Sequence, residues 1–565
     1  MKPVIDTIQN AISQLFGTDV PVQVSRPDAQ FGDYATNVAM QLAKTLANPP
    51  AGGPRDVAEQ LAEKLRENDA FSDVSIAGPG FINLRVSNPV LHQSLGQILD
   101  ERERYGRQHV YEGKEVITEY SDPNPFKVLH AGHLYTSIIG DAISNLIESA
   151  GGTVHRVNFG GDVGLHVGKT MWAILQRLGG EHPEKLADIP QADRSEWMAA
   201  AYVEGTNAYE DDEAAKAEII TLNKRVYGLH GDGDHESAFA QIYWTCRTWS
   251  YDYFNAFYKR IGTQFEKYYP ESETASLGLE TVRTQQQNGV YTESDGAVVF
   301  VGEPYGLHTR VFINSEGLPT YEAKDVGLSI KKWDDYHFDE SIIITGNDIT
   351  EYMKVVLKSI EQFQPQLVER TKHFTHGNVK LLGGVKMSSR KGNFLRAIDV
   401  LDVAADENEQ AQGNRDEAPV LGAIKYAFLK SRIGPDIIFD PKESVSIHGN
   451  SGPYLQYAHA RAMSIVAKLD TGDAATDQEF DQHERSLLVK MTEYPEVLEN
   501  ATRELAPHVI CTYLYELAQT FNRFYEQSHV IGDPRQQVRG RLVLGYASIL
   551  KSGLTILGIQ APDTM

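Results

Sequence analysis

Cysteine is nearly missing from this 565-residue chain, which has only Cys246 and Cys511, far apart. Two such residues exclude a disulfide framework and a four-cysteine zinc site, and both read as buried thiols in a reducing compartment. Long apolar runs are lacking too: nothing approaches the ~18 residues of a membrane span. The N-terminus MKPVIDTIQNAISQLF has polar residues at every turn instead of an apolar targeting segment. A soluble cytoplasmic protein with no membrane association is expected. Repeats and low-complexity tracts are missing. Positive charge is scarce, with 53 Lys and Arg against 77 Asp and Glu, a formal net charge of −24. That balance argues against coating nucleic acid through bulk charge but leaves room for local basic surfaces.

What is present is enough apolar material, 41% of residues, to build several cores. At roughly 100 to 200 residues per domain, three or four domains are expected. Residues 1–105 read as a small α+β domain. Val4, Ile5, Ile8, Ile12 and Leu15 share a helical face, FGDYATNVAMQLAKTL continues the helical pattern, and VSIAGPGFINLRV (74–86) alternates like strands around a Gly-Pro-Gly turn. From Glu115 the pattern becomes strand, helix, strand: VITEY, then a helix bearing Leu134, Ile138, Ala142 and Leu146, then TVHRVNF. This βαβ unit predicts a Rossmann-like, doubly wound parallel-sheet core over 106–400. A helical, acidic insertion occupies about 165–290 of it, and AVVFV, TRVFI and SIIIT (297–345) complete the sheet. Residues 402–417, with six acids and one arginine, read as a solvated linker, and 401–565 as an all-α bundle. The whole chain is thus a multidomain α/β protein.

Two segments carry chemistry. The first, Ser121-Asp-Pro-Asn-Pro-Phe-Lys-Val-Leu-His-Ala-Gly-His133, lies between the first core strand and its helix. There an open α/β sheet binds phosphates, and two imidazoles can donate hydrogen bonds to a phosphoryl oxygen as charge develops on it. The second, residues 378–396, holds five cations (Lys380, Lys386, Arg390, Lys391, Arg396) and no acid. A loop rich in Gly, Ser and Lys is suited to closing over a polyphosphate. A cluster at His230, Asp232, Asp234, His235 and Glu236 has no metal-ligand spacing and reads as a solvated loop, and no metal site is expected. His373 and His376 read as structural.

His130-Ala-Gly-His133 resembles the HIGH motif, and Lys386-Met387-Ser388-Ser389-Arg390 the KMSKS motif, of class I aminoacyl-tRNA synthetases. The segments Glu119–Asn124, Tyr321–Asp325, NSGPYLQYAHAR (450–461) and FGDYATNVAM (31–40) are similar to those of arginyl-tRNA synthetases in particular. The resemblance spans the chain and implies ATP-dependent arginine activation and transfer to tRNA(Arg), with Mg²⁺ accompanying the ATP. It implies catalytic roles for His130, His133, Lys127 and Lys386, and arginine binding by Glu119, Ser121, Asn124, His133, Tyr321 and Asp325. ATP contacts are implied for His130, Gly132, His133, Asp348, Lys386, Met387, Ser388, Ser389 and Arg390. tRNA contacts are implied for Phe31, Tyr34 and Asn37 in the N-terminal domain and for Tyr454, Gln456, Tyr457 and Arg461 in the bundle. A monomer is expected.

The residue chemistry agrees with an arginine pocket, because a guanidinium needs carboxylates and planar acceptors for its five donors. Tyr321 and Asp325, four apart, share a helical face. Two departures stand out. Ser389 replaces the second KMSKS lysine, so Lys127, three residues ahead of His130, is expected to supply that cation, with Arg390 or Lys391 sharing the role. Ile349 stands where the family often has Gln or His, so no side-chain contact to the substrate amino group carries over there. Asp348 remains a candidate for the ATP ribose or that amino group. A nucleotidyltransferase acting on a small molecule would have no use for the two flanking domains, and a non-catalytic relative would have lost one of the two motifs.

Overall fold

The computed structural model describes residues 2–28, 30–48, 50–382, 395–469 and 478–565. Its centre is a five-stranded sheet: β1 (Glu115–Glu119), β2 (Thr153–Gly160), β3 (Lys267–Pro270), β4 (Glu340–Gly346) and β5 (Thr371–His376). The spatial order is β5-β4-β1-β2-β3 and every neighbouring pair is parallel. Strand order therefore reverses between β1 and β4, and ligands in such sheets bind outside the carboxyl ends at that point. Strand β1 is Val-Ile-Thr-rich and buried on both faces, as a central parallel strand must be. The amphipathic helix α1 (Ala131–Ser149) crosses from it to β2.

The core sheet differs from the sequence reading in its outer strands. Lys267–Pro270, inside the stretch read as a helical insertion, is edge strand β3; KYYP is too short to show alternation. AVVFV and TRVFI do not complete the parallel sheet. They pair antiparallel with each other, and Thr292–Ser294 adds a third strand to this separate sheet. SIIIT does complete the parallel sheet, as β4, together with β5.

At the N-terminal end, Phe71–Ala77 and Phe81–Val86 form the hairpin around Gly-Pro-Gly. Tyr34–Thr36, which the sequence reading placed in a helix, is a strand beside it, and the helix begins only at Val38. Residues 402–417 are not a linker. Most of them extend a helix, Ala397–Gln412, whose Val400, Leu401, Ala404 and Ala405 are buried while its acids face water. Counting charges hid the i, i+4 spacing of its small apolar residues. Beyond it the described elements are helices apart from the strand Ile437–Phe439, which pairs with Val379–Leu381. One apolar core runs without a break from Ile8 through Ile143 to Leu550, so the N-terminal domain, the catalytic helices and the bundle are packed together.

Candidate active site

Helix α1 begins on its own histidines. His130 is the N-cap, and its Nδ1 accepts the Gly132 backbone N–H at 3.1 Å. The His130 backbone N–H in turn donates to His133 Nδ1 at 3.1 Å. The two rings stack with centroids 3.7 Å apart. Because Nδ1 accepts in both rings, each carries its proton on Nε2 and presents an N–H donor. Burial, opposed by Asp348 and reinforced by Lys127, pushes His130 down to about 4. Burial first, then His130 and Lys127, holds His133 well below its ordinary value. Both are neutral donors at pH 7, at a helix N-terminus whose dipole favours anions. Gly132 has to be small: a Cβ there would lie 2.8 Å from the His130 ring.

Around this cap, His130 bridges the backbone of Arg396, and Arg396 pairs with Glu196 of the helix Arg194–Asp211. Lys127 lies 4.5 Å over the Tyr202 ring of that same helix. His376 Nε2 meets Thr136 Oγ1 of α1 at 2.6 Å and His373 Nε2 meets Thr345 Oγ1 at 2.7 Å, so both rings tie β5 to a neighbouring element. Asp348 is exposed in the turn after β4, and Ile349 follows it. Lys386, Met387, Ser388, Ser389, Arg390 and Lys391 lie outside the described residues.

Beside the histidine pair is a pocket rich in carboxylates. Glu119 ends β1, and the chain then passes through two left-handed residues, Ser121 (φ 74°) and Asp122 (φ 49°). This bend turns Asp122 back, so that its Oδ1 accepts the Phe159 N–H at 2.8 Å, while Ser121 Oγ goes to the Tyr258 hydroxyl at 2.8 Å. Asn124 Oδ1 accepts the Gly161 N–H at 3.0 Å. Asp325 and Tyr321 lie on helix α2 (Tyr321–Tyr336). The Tyr321 hydroxyl meets His166 Nδ1 at 3.3 Å, and His166 Nε2 donates to Gly161 O at 2.7 Å. Burial pushes His166 down to about 3, so Nδ1 accepts from the phenol and the oxygen lone pairs of Tyr321 remain as acceptors.

Sequence reasoning missed several partners here. Glu271, buried at the start of the helix Glu271–Gln287, pairs with buried Lys324, and Glu119 pairs with buried Lys332. The Tyr352 hydroxyl donates to Asp325 Oδ2. Two lysines thus neutralise two glutamates, and Asp122 and Asp325 have no ion-pair partner among the described residues. Desolvation, reinforced by Glu119, raises both, Asp325 to about 8 and Asp122 well above its ordinary value. Such a pocket favours a cationic ligand. The one sequence signal for these residues was their closeness to the quoted motifs: Lys324 adjoins Asp325 and Asp122 adjoins Ser121.

The more distant candidates divide by exposure. Phe31 is 50% exposed and Tyr457 42%. Tyr34 is buried, its ring 4.6 Å from the Arg26 guanidinium, and Gln456 is buried with its amide on Ala418 O and Gln560 O. Asn37 accepts from Gln41, Tyr454 accepts from Asn522, and Arg461 lies 4.2 Å over the Tyr525 ring. Of the metal-like cluster, Asp234 caps the turn into the helix Ala238–Ile261 and His235 stacks on Trp244.

Known proteins resemble this chain along its whole length. Residues 94–440 match the family described as tRNA synthetases class I (R), catalytic domain. Residues 455–565 match the DALR anticodon binding domain, and residues 2–86 the arginyl tRNA synthetase N terminal domain. An arginine–tRNA ligase of Porphyromonas gingivalis is 28% identical over 593 residues, covering 98% of each chain. One of Bacteroides thetaiotaomicron is 27% identical over 600 residues, covering 99% of each. The solved Thermus thermophilus arginyl-tRNA synthetase superposes with a TM-score of 0.77 at 24% identity over the full length of both chains, a likeness of fold.

Proposed function

The chain belongs to the class I tRNA synthetases of the arginine type, and we propose that the stacked histidines and the carboxylate pocket beside them are where it activates arginine. Its activity is the ATP-dependent ligation of arginine to tRNA. The observation that carries the site assignment is its two-signed character. Neutral imidazole donors sit on a helix N-terminus, next to buried carboxylates in excess of their cations.

In the proposed first step, the arginine carboxylate attacks the α-phosphorus of ATP, forming arginyl-adenylate and releasing pyrophosphate. The chain supplies position and charge stabilisation and no nucleophile of its own. The Nε2–H groups of His130 and His133 donate to the phosphoryl oxygens, and Lys127 and Lys386 offset charge moving to pyrophosphate. Tyr321 and Asp325 read the guanidinium, while Asn124 and His133 hold the amino acid's backbone end. Ser121 and Glu119 act from behind that layer, since Tyr258 and Lys332 hold them. Magnesium enters with the triphosphate as part of the nucleotide substrate. In the second step a ribose hydroxyl of the terminal adenosine of tRNA attacks the adenylate. Exposed Phe31 and Tyr457, with Arg461, are the side chains best placed to meet tRNA. Among the described residues no helix is long and apolar enough to cross a membrane.

Pyrophosphate exchange with each amino acid, run with and without tRNA, tests this reading. Exchange with arginine is expected, and with lysine it is not; comparable exchange with both would sink the pocket assignment.

A further inference from the structure

The buried ion pair between Lys332 and Glu119 is not a contact that a substrate reaching Asp325 would make. Lys332 is seven residues along α2 from Asp325, about 10 Å farther down the helix axis. Yet Tyr321, Asp325 and Lys332 fall on one stripe of that helix, within roughly 40° of one another at 100° per residue. The helix face that presents the pocket's tyrosine and aspartate therefore also carries a cation beneath them. Lys332 is 1% exposed and Glu119 is 3% exposed. The Lys332 ammonium also donates to Ser341 Oγ at 3.2 Å, which ties α2 to β4 as well as to β1.

A pair this deep gains little stability over apolar residues of the same volume, because desolvating both ions cancels most of their attraction. Its reach into the pocket is what sets it apart. Glu119 raises the titration of both Asp122 and Asp325, and Lys332 lowers both. Among the described residues, the charged and titratable groups that act with Glu119 include Lys332 and Asp325 on α2, Asp122 in the loop after β1, and Tyr269 on β3. Lys332 is the one cation among them.

We propose that Lys332 is a positioning residue for arginine recognition, an internal counter-ion that fixes the rotamer of Glu119 and eases the ionisation of Asp122 and Asp325 on binding a cationic substrate it never touches. With Lys332 in place, three carboxylates share one resident cation. Desolvation already raises Asp122 and Asp325 with Lys332 in place; without it both hold their protons to higher pH, and arginine binding has more proton to displace.

The inference rests on the arginine-activation reading, and wild-type exchange with arginine tests that reading separately. Full-length Lys332→Gln and Lys332→Met are compared with Lys332→Arg in arginine-dependent pyrophosphate exchange with tRNA present, between about pH 6.5 and pH 9. In the two neutral variants the arginine KM should rise at least about tenfold near pH 7, with the KM for ATP unchanged, and the deficit should shrink as pH rises and the acids ionise. Lys332→Arg should bring it back to within about threefold of wild type, since it restores the charge. An unchanged arginine KM, a deficit of the same size at every pH, or arginine and ATP KM rising together would overturn the proposal. Failure of both neutral variants to fold, seen by thermal melting, would assign Lys332 to stability and overturn it too.

Discussion

The Tyr352 hydroxyl donates a hydrogen bond to Asp325, joining the helix that follows β4 to the carboxylate proposed to read the guanidinium. Burial pushes Asp325 up to about 8, and this hydrogen bond opposes the rise. A guanidinium pairs with the ionised form, so arginine binding below that pH expels a proton. Arginine affinity is expected to increase as pH rises from about 6.5 to about 8 and then level off, by at most about tenfold per unit for one linked proton. Tyr352→Phe removes the opposing bond and should shift that rise upward by a fraction of a unit. Calorimetric titration of arginine in buffers of different ionisation enthalpy checks both points.

The same group has a stability consequence of opposite sign. An acid whose folded pKa is raised stabilises the fold at low pH, and that contribution disappears as pH rises through about 8. Asp325→Asn should therefore melt higher than wild type near pH 8, and the difference should close only at about pH 4, the ordinary carboxylate value. Arginine binding by the variant should be largely abolished. A variant less stable than wild type at pH 8 would show that Asp325 is compensated in the folded chain.

Gly132 carries the next prediction. The His130 ring lies where a Cβ would stand, so Gly132→Ala must move the imidazole that caps α1. The rate of arginine-dependent pyrophosphate exchange should fall by about 10²-fold, the scale of losing one oriented donor at a developing charge, with arginine KM nearly kept. A rise in arginine KM with the turnover number intact would place the histidine pair outside the phosphate site.

How much of this was legible beforehand follows the range of each signal. The βαβ opening, the N-terminal hairpin and the helical bundle rest on local periodicity, and their residues could be read directly. Strand β3 could not, because Lys267–Pro270 is four residues long and its partner β2 lies more than a hundred residues earlier. The helix Ala397–Gln412 was hidden by its acidic surface. In the site, His130, His133, Tyr321 and Asp325 sit in contiguous motifs. Glu271, Lys324, Lys332 and Tyr352 act only through partners that the fold brings together. Charge pairing across 213 positions, as between Glu119 and Lys332, leaves no mark in a single sequence.

Two glycines belong to that hidden class. The helices Glu271–Gln287 and Tyr321–Tyr336 cross in backbone contact: a Cβ on Gly278 would stand 1.9 Å from Ala323 O, and one on Gly327 2.2 Å from Thr274 O. Nothing rigid there can give way, so Gly327→Ala has to push the helices apart and strain the Glu271–Lys324 pair that joins them. A loss of about 1–3 kcal/mol is expected from overpacking, seen as a lower denaturant midpoint, together with a raised arginine KM. An alanine variant with wild-type stability would mean that the two helices slide without cost.

Among the described residues three ion pairs hold the N-terminal domain to the bundle, Arg26–Glu496, Arg485–Asp33 and Lys551–Glu103, and the bidentate first is the best test. Arg26 donates from Nε and Nη2 to both Glu496 oxygens, at 3.0 Å each, and Nη2 also reaches Thr492 O and the Tyr34 hydroxyl. Asp33 receives the Arg485 guanidinium and the Val86 N–H on one oxygen. Arg26→Ala leaves the Glu496 carboxylate half-buried without its bidentate partner, at a cost of about 2–4 kcal/mol. Arg26→Lys should recover little, because an ammonium cannot present the planar fork. Both variants should be cut faster by protease between the N-terminal domain and β1. Arginine activation, which uses neither residue, should keep its wild-type rate. If the N-terminal domain positions tRNA, the KM for tRNA in the transfer step should rise in step with the protease sensitivity. Loss of arginine activation in Arg26→Ala would show instead that the domain's docking shapes the catalytic pocket itself.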